Sequence, residues 1–258
     1  MTTVCQVMIE AEPREGAWNM ALDEALLNDS LAHHTCWLRW YRWREATLSL
    51  GYFQGTQGAG IDPRWGTLPV VRRLSGGGAI LHDREWTYSC ILPTDHPLTH
   101  QPHDLYRLVH EGVIEVLRRH GVESHLRGAN APAKPADAFL CFERGDPNDL
   151  LFGEHKFLGS AQRRRKGAVL QHGSLILQRS PHAPEIPGLF ELAGVSLDDA
   201  RLVREFAPAI AGQFAERWNI SEEFPSEIRG EAERLFQEKY AQGLDWNRGG
   251  STGEISPP

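Results

Sequence analysis

The sequence predicts an α/β (α+β) fold in which helices flank a mixed β-sheet. Apolar residues recur at helical spacing over 104–120, whereas 87–92 and 169–177 are short apolar runs typical of strands. The helical and strand-like segments follow one another without strict βαβ alternation. Such an order favours a sheet that contains both parallel and antiparallel strands.

Two long helices are predicted from their apolar periodicity. In the first, residues 17–31, the side chains expected to face a core are Trp18, Ala21, Leu22, Ala25 and Leu26. The second, residues 104–120, is followed by Gly121, which suits the left-handed backbone that often ends a helix. Basic residues precede this glycine, and positive charge is favourable there because the C-terminal end of a helix carries a partial negative charge.

Strands are predicted where β-branched and aromatic residues cluster between turn residues. The expected strands are 36–43, 68–74, 87–92 and 169–177, together with a short hairpin of 150–152 and 156–158 around Gly153-Glu154. The glycine-rich stretch 51–60 predicts a loop.

The chain shows no internal repeat and no low-complexity linker before its last residues. We therefore expect residues 1–188 to form one principal domain. Residues 189–246 become helical and charged and are expected to pack on that domain as a C-terminal helical segment. Residues 247–258 are polar, with Gly, Ser and Pro, and are expected to be a disordered tail.

Composition excludes several classes of protein. The net charge of −7 disfavours a general nucleic-acid surface, because phosphate binding needs a basic one. The four cysteines, at positions 5, 36, 90 and 141, are widely spaced and form no CxxC pair, so we expect neither a disulfide framework nor a zinc site. With no signal peptide and no apolar run long enough to span a membrane, the expected location is the cytoplasm, away from membranes.

The first stretch suited to ligand binding is 72–83, RRLSGGGAILHD. Three consecutive glycines after a strand let the backbone approach a ligand, and their N–H groups can face an anion or a developing oxyanion. The stretch is neither a P-loop nor a dinucleotide-binding G-x-G-x-x-G. A glycine-rich hairpin without any ligand would give the same pattern.

Two later stretches place a cation and an imidazole beside glycine. Lys156 precedes Gly159-Ser160-Ala161, a predicted turn, and can aim its ammonium at a carbonyl or carboxylate. An exposed strand lysine is the ordinary alternative, and spacing alone favours it. His172-Gly173 can place an imidazole or bare backbone against a ligand. A β-bulge with a partly buried histidine is the alternative there.

In order and spacing, these stretches resemble the biotin/lipoate A/B protein ligase family over roughly residues 10–180. The motifs that carry the resemblance are NMALDEALL (19–27), RRLSGGGAILHD (72–83), TYS (87–89), HKFLGSAQ (155–162) and GAVLQHGSLIL (167–177). The resemblance implies a mixed-sheet fold and an acyl pocket, with no metal site. The substrate-binding positions that it implies are Arg73, Ser75, Gly76, Gly77, Gly78, His82, Gly159, Ser160, Ala161, His172 and Gly173.

Two activities compete within that family. LipM-type octanoyltransferases carry a nucleophile in a Cys-Phe pair ahead of Lys-x-x-Gly-Ser-Ala, and Cys141-Phe142 stands in that place before Lys156. Lipoate–protein ligases instead use ATP and Mg²⁺, and Asn148-Asp149-Leu150 and Gly78 resemble that branch. A non-catalytic relative that binds lipoate or a carrier domain is a third possibility, against which the joint presence of Cys141 and Lys156 argues.

The transferase interpretation implies that Cys141 and Lys156 are catalytic and that residues 1–188 are an acyltransferase domain. Octanoyl would pass from acyl carrier protein to a lysine of a lipoyl carrier domain, either the glycine cleavage H protein or a 2-oxoacid dehydrogenase E2. Exchange between thioesters is nearly isoenergetic, so no cofactor is implied. The thiolate is the competent nucleophile, and a nearby ammonium favours it.

The basic run 163–166 has two interpretations. Charge runs are most often solvated loops. On a chain that is acidic overall, a local basic run beside the predicted site also suits docking of an acidic carrier protein, because complementary charge raises the encounter rate.

Overall fold

A computed structural model describes residues 3–55, 62–129 and 139–242. The strands are β1 (Val4–Ile9), β2 (Cys36–Tyr41), β3 (Thr47–Leu50), β4 (Val70–Arg72), β5 (Ile80–His82), β6 (Glu85–Leu92), β7 (His125–Leu126), β8 (Leu150–Phe152), β9 (His155–Arg165), β10 (Ala168–Ile176) and β11 (Arg217–Ser221). The α-helices are α1 (Gly16–His33), α2 (Pro102–Arg119), α3 (Leu189–Ala193), α4 (Asp199–Phe214) and α5 (Ser226–Leu235), and a π-helical turn (Phe236–Tyr240) follows α5. Short 3-10 turns occupy Pro63–Trp65, Pro97–His100 and Cys141–Glu143.

The main sheet has the strand order β11-β1-β2-β6-β10-β9-β8-β7. Strand β1 pairs in parallel with both β2 and β11, whereas β6, β10 and β9 form an antiparallel series. The predicted mixed sheet is therefore confirmed. A smaller sheet, β4-β3-β5, is formed by the strands on either side of the glycine-rich stretch 72–83.

Helices cover both faces of the main sheet. On one face, α2 and α4 bury an apolar cluster in which Gly112 lets the two helices approach, since a Cβ there would lie 2.9 Å from Ile210 Cγ1. On the other face, α1 and α5 bury a second cluster that includes Leu26 and Ile228. Each fully buried aliphatic side chain contributes about 1.5–3 kcal/mol to folding, so these two layers fix the sheet on which the site is built.

The two long predicted helices are confirmed: α1 extends slightly beyond both predicted ends, whereas α2 begins two residues before the predicted start and ends one residue before the predicted end. Gly121 has φ +74°, and its N–H donates to Arg118 O at 3.0 Å, as expected for a glycine that ends a helix. Trp18 is half-buried, while Ala21 and Leu26 are buried as predicted. Among the described residues, no helix has the length and apolar character that crossing a membrane requires.

Several local predictions were wrong. The predicted turn at Gly159-Ser160-Ala161 lies inside β9, which extends to Arg165 and pairs with β10 along most of its length. No bulge interrupts β10 at His172, which pairs with Ser89 on one side and Ala161 on the other. The stretch 72–83 is not a simple hairpin either, because β4 and β5 lie on opposite sides of β3.

Residues 189–246 also differ from a purely helical segment. Between α4 and α5 the chain forms β11, which extends the main sheet beside β1. Strand β1 itself was not predicted. Residues 243–258, which include the expected tail, and part of the predicted loop 51–60 lie outside the described residues.

Candidate active site

Cys141 and Lys156 lie side by side at one edge of the main sheet. Cys141 begins a 3-10 turn, and its backbone N–H donates to Ala79 O at 2.7 Å, which joins it to the end of the glycine stretch. Lys156 is the second residue of β9, and its Nζ lies 4.0 Å from Cys141 Sγ and donates to Cys141 O at 3.2 Å. The lysine is only 5% exposed, so it is not the surface lysine that spacing alone favoured.

A buried carboxylate holds the lysine in place. Lys156 Nζ lies 2.8 Å from Asp149 Oδ1, while Asp149 Oδ2 accepts from the backbone N–H of Asp146 at 2.8 Å and from Arg127 Nε at 3.4 Å. Burial raises the pKa of Asp149, and the charge of Lys156 opposes that rise. This contact was not predicted from the sequence, although Asp149 belongs to the Asn148-Asp149-Leu150 motif.

Gly159 gives the lysine its path to the cysteine. A Cβ at this position would collide with Lys156 Cε and would lie 2.7 Å from Nζ and 3.3 Å from Asp149 Oδ1. The glycine is required because the lysine side chain passes directly over it. This contact places the HKFLGSAQ motif beside Cys141.

Arg73 shapes the glycine loop from inside. The guanidinium is 2% exposed and donates to Ser49 O at 2.8 Å, to Gly76 O at 2.8 Å and to Gly78 O at 2.6 Å. Gly77 has φ +96°, a conformation that L-residues rarely adopt. Burial lowers the pKa of Arg73 to about 10, against the opposing effect of the nearby Cys141, so Arg73 remains a cation at neutral pH.

His172 forms a buried chain between α1 and the glycine loop. Its Nδ1 lies 3.5 Å from Asp23 Oδ2, and its Nε2 is hydrogen-bonded to Ser75 Oγ. A carboxylate only accepts, so Nδ1 carries the proton and the Ser75 hydroxyl donates to Nε2. Burial lowers the pKa of His172 despite the opposing effect of Asp23, and the ring is neutral at pH 7. Asp23 is itself held by Arg39 Nη1 and Ser89 Oγ, each at 2.8 Å.

His82 forms a similar chain on the small sheet. Its Nε2 lies 2.7 Å from Ser49 Oγ, and its Nδ1 lies 2.7 Å from Glu85 Oε1. The ring stacks on Trp43, with centroids 3.8 Å apart and an interplanar angle of 12°. These contacts fix the ring on the wall of a cavity.

The two histidines line a common cavity, which we call the histidine cavity. Its lining residues are Met20, Tyr41, Trp43, Ser49, Arg73, Ile80, His82, Thr87, His172, Gly173 and Ser174. Ile80 also belongs to the apolar cluster on which Cys141 packs. The cavity therefore adjoins the cysteine.

Not every predicted site residue joins this group. Ser160 Oγ lies 2.7 Å from His110 Nε2 and 2.7 Å from Tyr88 Oη, on the face covered by α2, and a Cβ on Gly173 would meet the same Ser160 hydroxyl. Successive residues of a strand alternate between faces, so Ser160 points to the face opposite Gly159, over which the Lys156 side chain passes. Ala161 pairs with His172 across the ladder.

His110 was not predicted from sequence. It is fully buried on α2, and its Nδ1 lies 2.5 Å from Asn148 O, beside the Asp149 that holds Lys156. Burial lowers the pKa of His110 to about 4, so the ring is neutral at pH 7. Its position in an otherwise apolar helical stripe gave no signal of this contact.

The structure thus brings Cys141, Lys156, Gly159 and Arg73 together with the glycine loop, and places Ser75, His82 and His172 around the adjoining cavity. Of the four cysteines, Cys5, Cys36 and Cys90 are buried, as predicted, while Cys141 is partly exposed. Across the described residues, no three His, Cys, Asp or Glu side chains are grouped in a way that could hold a metal ion.

Residues 15–182 match the family described as "Lipoyl protein ligase A/B catalytic domain". The chain belongs to this family. The matched residues contain Cys141, Lys156 and the walls of the histidine cavity.

Curated relatives of this family member are named octanoyltransferase LipM. The protein of that name from Halalkalibacterium halodurans is 38% identical over 182 residues, which cover 66% of this chain and 64% of the relative. The protein of that name from Kyrpidia tusciae is 33% identical over 265 residues, 90% of this chain and 94% of the relative. The alignments to the relatives from H. halodurans and Clostridioides difficile span slightly less than two thirds of those proteins.

Solved structures share the fold at lower identity. A T. acidophilum protein described as a lipoate protein ligase, with bound lipoic acid, has a TM-score of 0.71 at 22% identity and covers 96% of this chain and 99% of its own. A lipoate-protein ligase A bound with ATP has a TM-score of 0.68 at 24% identity and covers 96% and 98%. These likenesses establish the lipoate ligase fold for this family member.

Proposed function

We propose that this protein transfers an octanoyl group from octanoyl-acyl carrier protein to a lysine of a lipoyl carrier domain, through a thioester on Cys141. The observation that carries the proposal is the 4.0 Å approach of the buried Lys156 Nζ to the partly exposed Cys141 Sγ. The names of the curated relatives support the same activity.

In the first half-reaction the Cys141 thiolate attacks the thioester carbonyl of the donor. The new carbon–sulfur bond forms on Cys141 as the bond to the carrier's thiol breaks, and that thiol leaves as a thiolate. One thioester replaces another, so the step needs no ATP. Lys156 stabilises the attacking thiolate electrostatically, and its ammonium is within reach of the oxyanion that develops on the carbonyl.

The buried cations around Cys141 suit this chemistry. Lys156 and Arg127 both contact Asp149, and Arg73 adds a third cation behind the glycine loop. The Lys156 ammonium therefore lies where it can attract an oxyanion on a carbonyl bound beside Cys141.

The histidine cavity is the proposed place for the acyl chain. It adjoins Cys141 through Ile80, and Met20, Tyr41 and Trp43 contribute its apolar walls. The two imidazoles are held by Asp23 and Glu85, so the cavity keeps its shape while an acyl chain enters.

In the second half-reaction the neutral amine of the acceptor lysine attacks the Cys141 thioester. The nitrogen–carbon bond forms, the carbon–sulfur bond breaks, and Cys141 leaves as a thiolate. The ammonium of the free lysine first loses one proton to water, and the attacking nitrogen loses a second, which the thiolate or solvent takes up. The proposed acceptors are the lipoyl domains of the glycine cleavage H protein or of a 2-oxoacid dehydrogenase E2.

An ATP-dependent lipoate ligase is the second candidate. Asn148-Asp149-Leu150 favours it, because the sequence motif resembles that branch and Asp149 holds Lys156 directly. In that case ATP and Mg²⁺ would be needed, and Cys141 would carry no acyl group.

Intact-mass measurement separates the two candidates. Incubation with octanoyl-acyl carrier protein and no ATP should add one octanoyl group to the protein, and Cys141→Ala should abolish that adduct. Cys36→Ala is the matched control, since Cys36 is buried away from Lys156 and its loss should leave the adduct in place.

Transfer that requires ATP and free acid, with full activity in the Cys141→Ala variant, would replace the transferase by the ligase. A protein that accepts neither donor would be a non-catalytic relative.

A further inference from the structure

A second cleft lies beside the 3-10 turn that begins at Cys141, because Leu140 and Phe142, the neighbours of Cys141 in the chain, both line it. Ile176 is also among its walls. Cys141 packs on a cluster formed by Ile80, Phe142 and Ile176, of which Ile80 lines the histidine cavity and the other two line this cleft. Along β10, Ser174 faces the cavity and Ile176 faces the cleft, so the two spaces are neighbours along one strand.

The cleft combines apolar walls with one carboxylate. Leu140, Phe142, Ile176 and Ile186 provide the apolar surface, and Asp83 lies in the lining. Asp83 is partly exposed, and its Oδ2 accepts from Ser180 Oγ at 2.7 Å. A carboxylate has two acceptor oxygens and a negative charge, so Asp83 can attract a cationic group that enters the cleft.

We propose that this cleft receives the side chain of the acceptor lysine, with its aliphatic stem on the apolar walls and its ammonium drawn in by Asp83. The inference rests on the proposed function and adds to it the path of the second substrate. The acyl chain occupies the histidine cavity, so the acceptor reaches the Cys141 carbonyl from the neighbouring space.

The chemistry of the lining favours a lysine over the arm of the donor carrier. A lysine side chain buries its methylene stem along apolar surface and keeps a charged end, which a carboxylate complements. The pantetheine arm carries amides that need several hydrogen-bonding partners and has no positive charge for Asp83 to attract. Asp83 is therefore needed for transfer and not for loading.

The same arrangement explains how the amine becomes reactive. Asp83 attracts the ammonium form of the acceptor lysine in the cleft, whereas the ammonium of Lys156 disfavours a second cation beside Cys141. A lysine that advances from Asp83 to the thioester therefore moves toward surroundings that favour loss of its proton. The neutral nitrogen then bonds to the acyl carbon as the bond to Cys141 Sγ breaks.

The test compares two acceptors on the same preformed octanoyl-enzyme. Asp83→Asn keeps the shape of the side chain and its bond to Ser180 while removing the charge. We expect transfer to a lipoyl domain to slow by roughly tenfold, as for loss of a partly buried charge partner. Cleavage of the octanoyl thioester by hydroxylamine, a small neutral nucleophile that releases octanoyl hydroxamate and frees the Cys141 thiol, should be unchanged. Formation of the octanoyl-enzyme from octanoyl-acyl carrier protein should also be unchanged.

Two further variants make the result decisive. Asp95→Asn removes the same charge from an exposed carboxylate paired with His34 and should leave every rate unchanged. Ala183→Leu adds bulk to the cleft wall and should slow transfer to the lipoyl domain while hydroxylamine still reacts. Thermal melting shows whether each variant is folded. If Ala183→Leu does not fold, the rates of Asp83→Asn alone test the cleft assignment.

Wild-type transfer by Asp83→Asn, or equal slowing of lipoyl-domain and hydroxylamine reactions, would overturn the cleft assignment and leave the transferase proposal intact. If the wild-type protein forms no octanoyl-enzyme at all, the proposed function fails and this inference fails with it.

Discussion

Gly159→Ala is expected to move the Lys156 ammonium away from Cys141 without unfolding the protein. The new Cβ would collide with the Lys156 side chain, whose Nζ would lie only 2.7 Å away. The end of a lysine side chain moves more easily than a paired strand, so Lys156 shifts and β9 stays. The substitution thus acts on the position of one ammonium.

The size of the effect follows from the distance between the two charges. A change of rotamer that moves Nζ from 4.0 Å to about 6 Å from Cys141 Sγ weakens the attraction to a thiolate by about 1.4 kcal/mol at an effective dielectric constant of ~20. That difference corresponds to about a tenfold slower reaction at Cys141 if the whole attraction acts on the reacting sulfur. The same movement would separate Nζ from Asp149 Oδ1, which now lies 2.8 Å away, so the lysine side chain would be held less firmly.

Two assays measure this slower reaction directly. Alkylation of Cys141 by iodoacetamide, followed by peptide mass spectrometry, reports the thiolate without any substrate. The rate of octanoyl-enzyme formation from octanoyl-acyl carrier protein reports the same group during the proposed reaction. Both rates should fall by about tenfold at pH 7, because both depend on the thiolate.

Gly230→Ala is the matched control. Gly230 lies on α5, and a Cβ there would have nothing within 4 Å, so both rates should be unchanged. A folded Gly159→Ala variant with wild-type alkylation and acylation would refute the argument that Lys156 acts on Cys141 through this contact.

Three further predictions concern charge and protons. Lys156→Met should slow both half-reactions by up to about a thousandfold, because the attraction between two unit charges 4.0 Å apart is about 4 kcal/mol at a dielectric constant of ~20. Wild-type rates in a single-turnover assay would show that Lys156 has only a structural role. Transfer from preformed octanoyl-enzyme to a lipoyl domain should accelerate between about pH 6 and 9, because the acceptor amine has an ordinary pKa near ~10.4; a flat profile with chemistry rate-limiting would contradict this. Stability should fall by up to about 3 kcal/mol between about pH 6.5 and 4, because burial lowers the pKa of His110 to about 4 and the unfolded chain binds the proton first. Urea unfolding across that range should show a shallower decline for His110→Gln than for the control His33→Gln at an exposed site, and equal slopes would exclude His110 as the source.

The sequence by itself determined the features that depend on local patterns. Helices α1 and α2 were predicted because their apolar residues repeat at the helical period, and Gly121 ended α2 as expected. The central strands β6 and β10 were predicted from apolar runs between turn residues. The order of the motifs indicated the family, which residues 15–182 confirm.

Other strands were decided by their partners. The extension of β9 through the basic residues Arg163 to Arg165 follows from its pairing with β10, because each added residue completes backbone hydrogen bonds along an existing strand. Strand β11 carries exposed side chains throughout, Trp218 and Ile220 included, so no buried apolar face marks it, and its register with β1 became visible only in the fold.

The environment of the candidate site was also decided by tertiary structure. Lys156 is a surface lysine by ordinary expectation, yet packing against Cys141, Asp149 and Gly159 buries it. Asp23 and His172 are 149 positions apart in the chain and meet only because α1 lies across β10. Local periodicity tells which face of a segment is buried but not which distant residue it contacts. The burial that moves the pKa values of His110 and His172 therefore comes from the assembled fold.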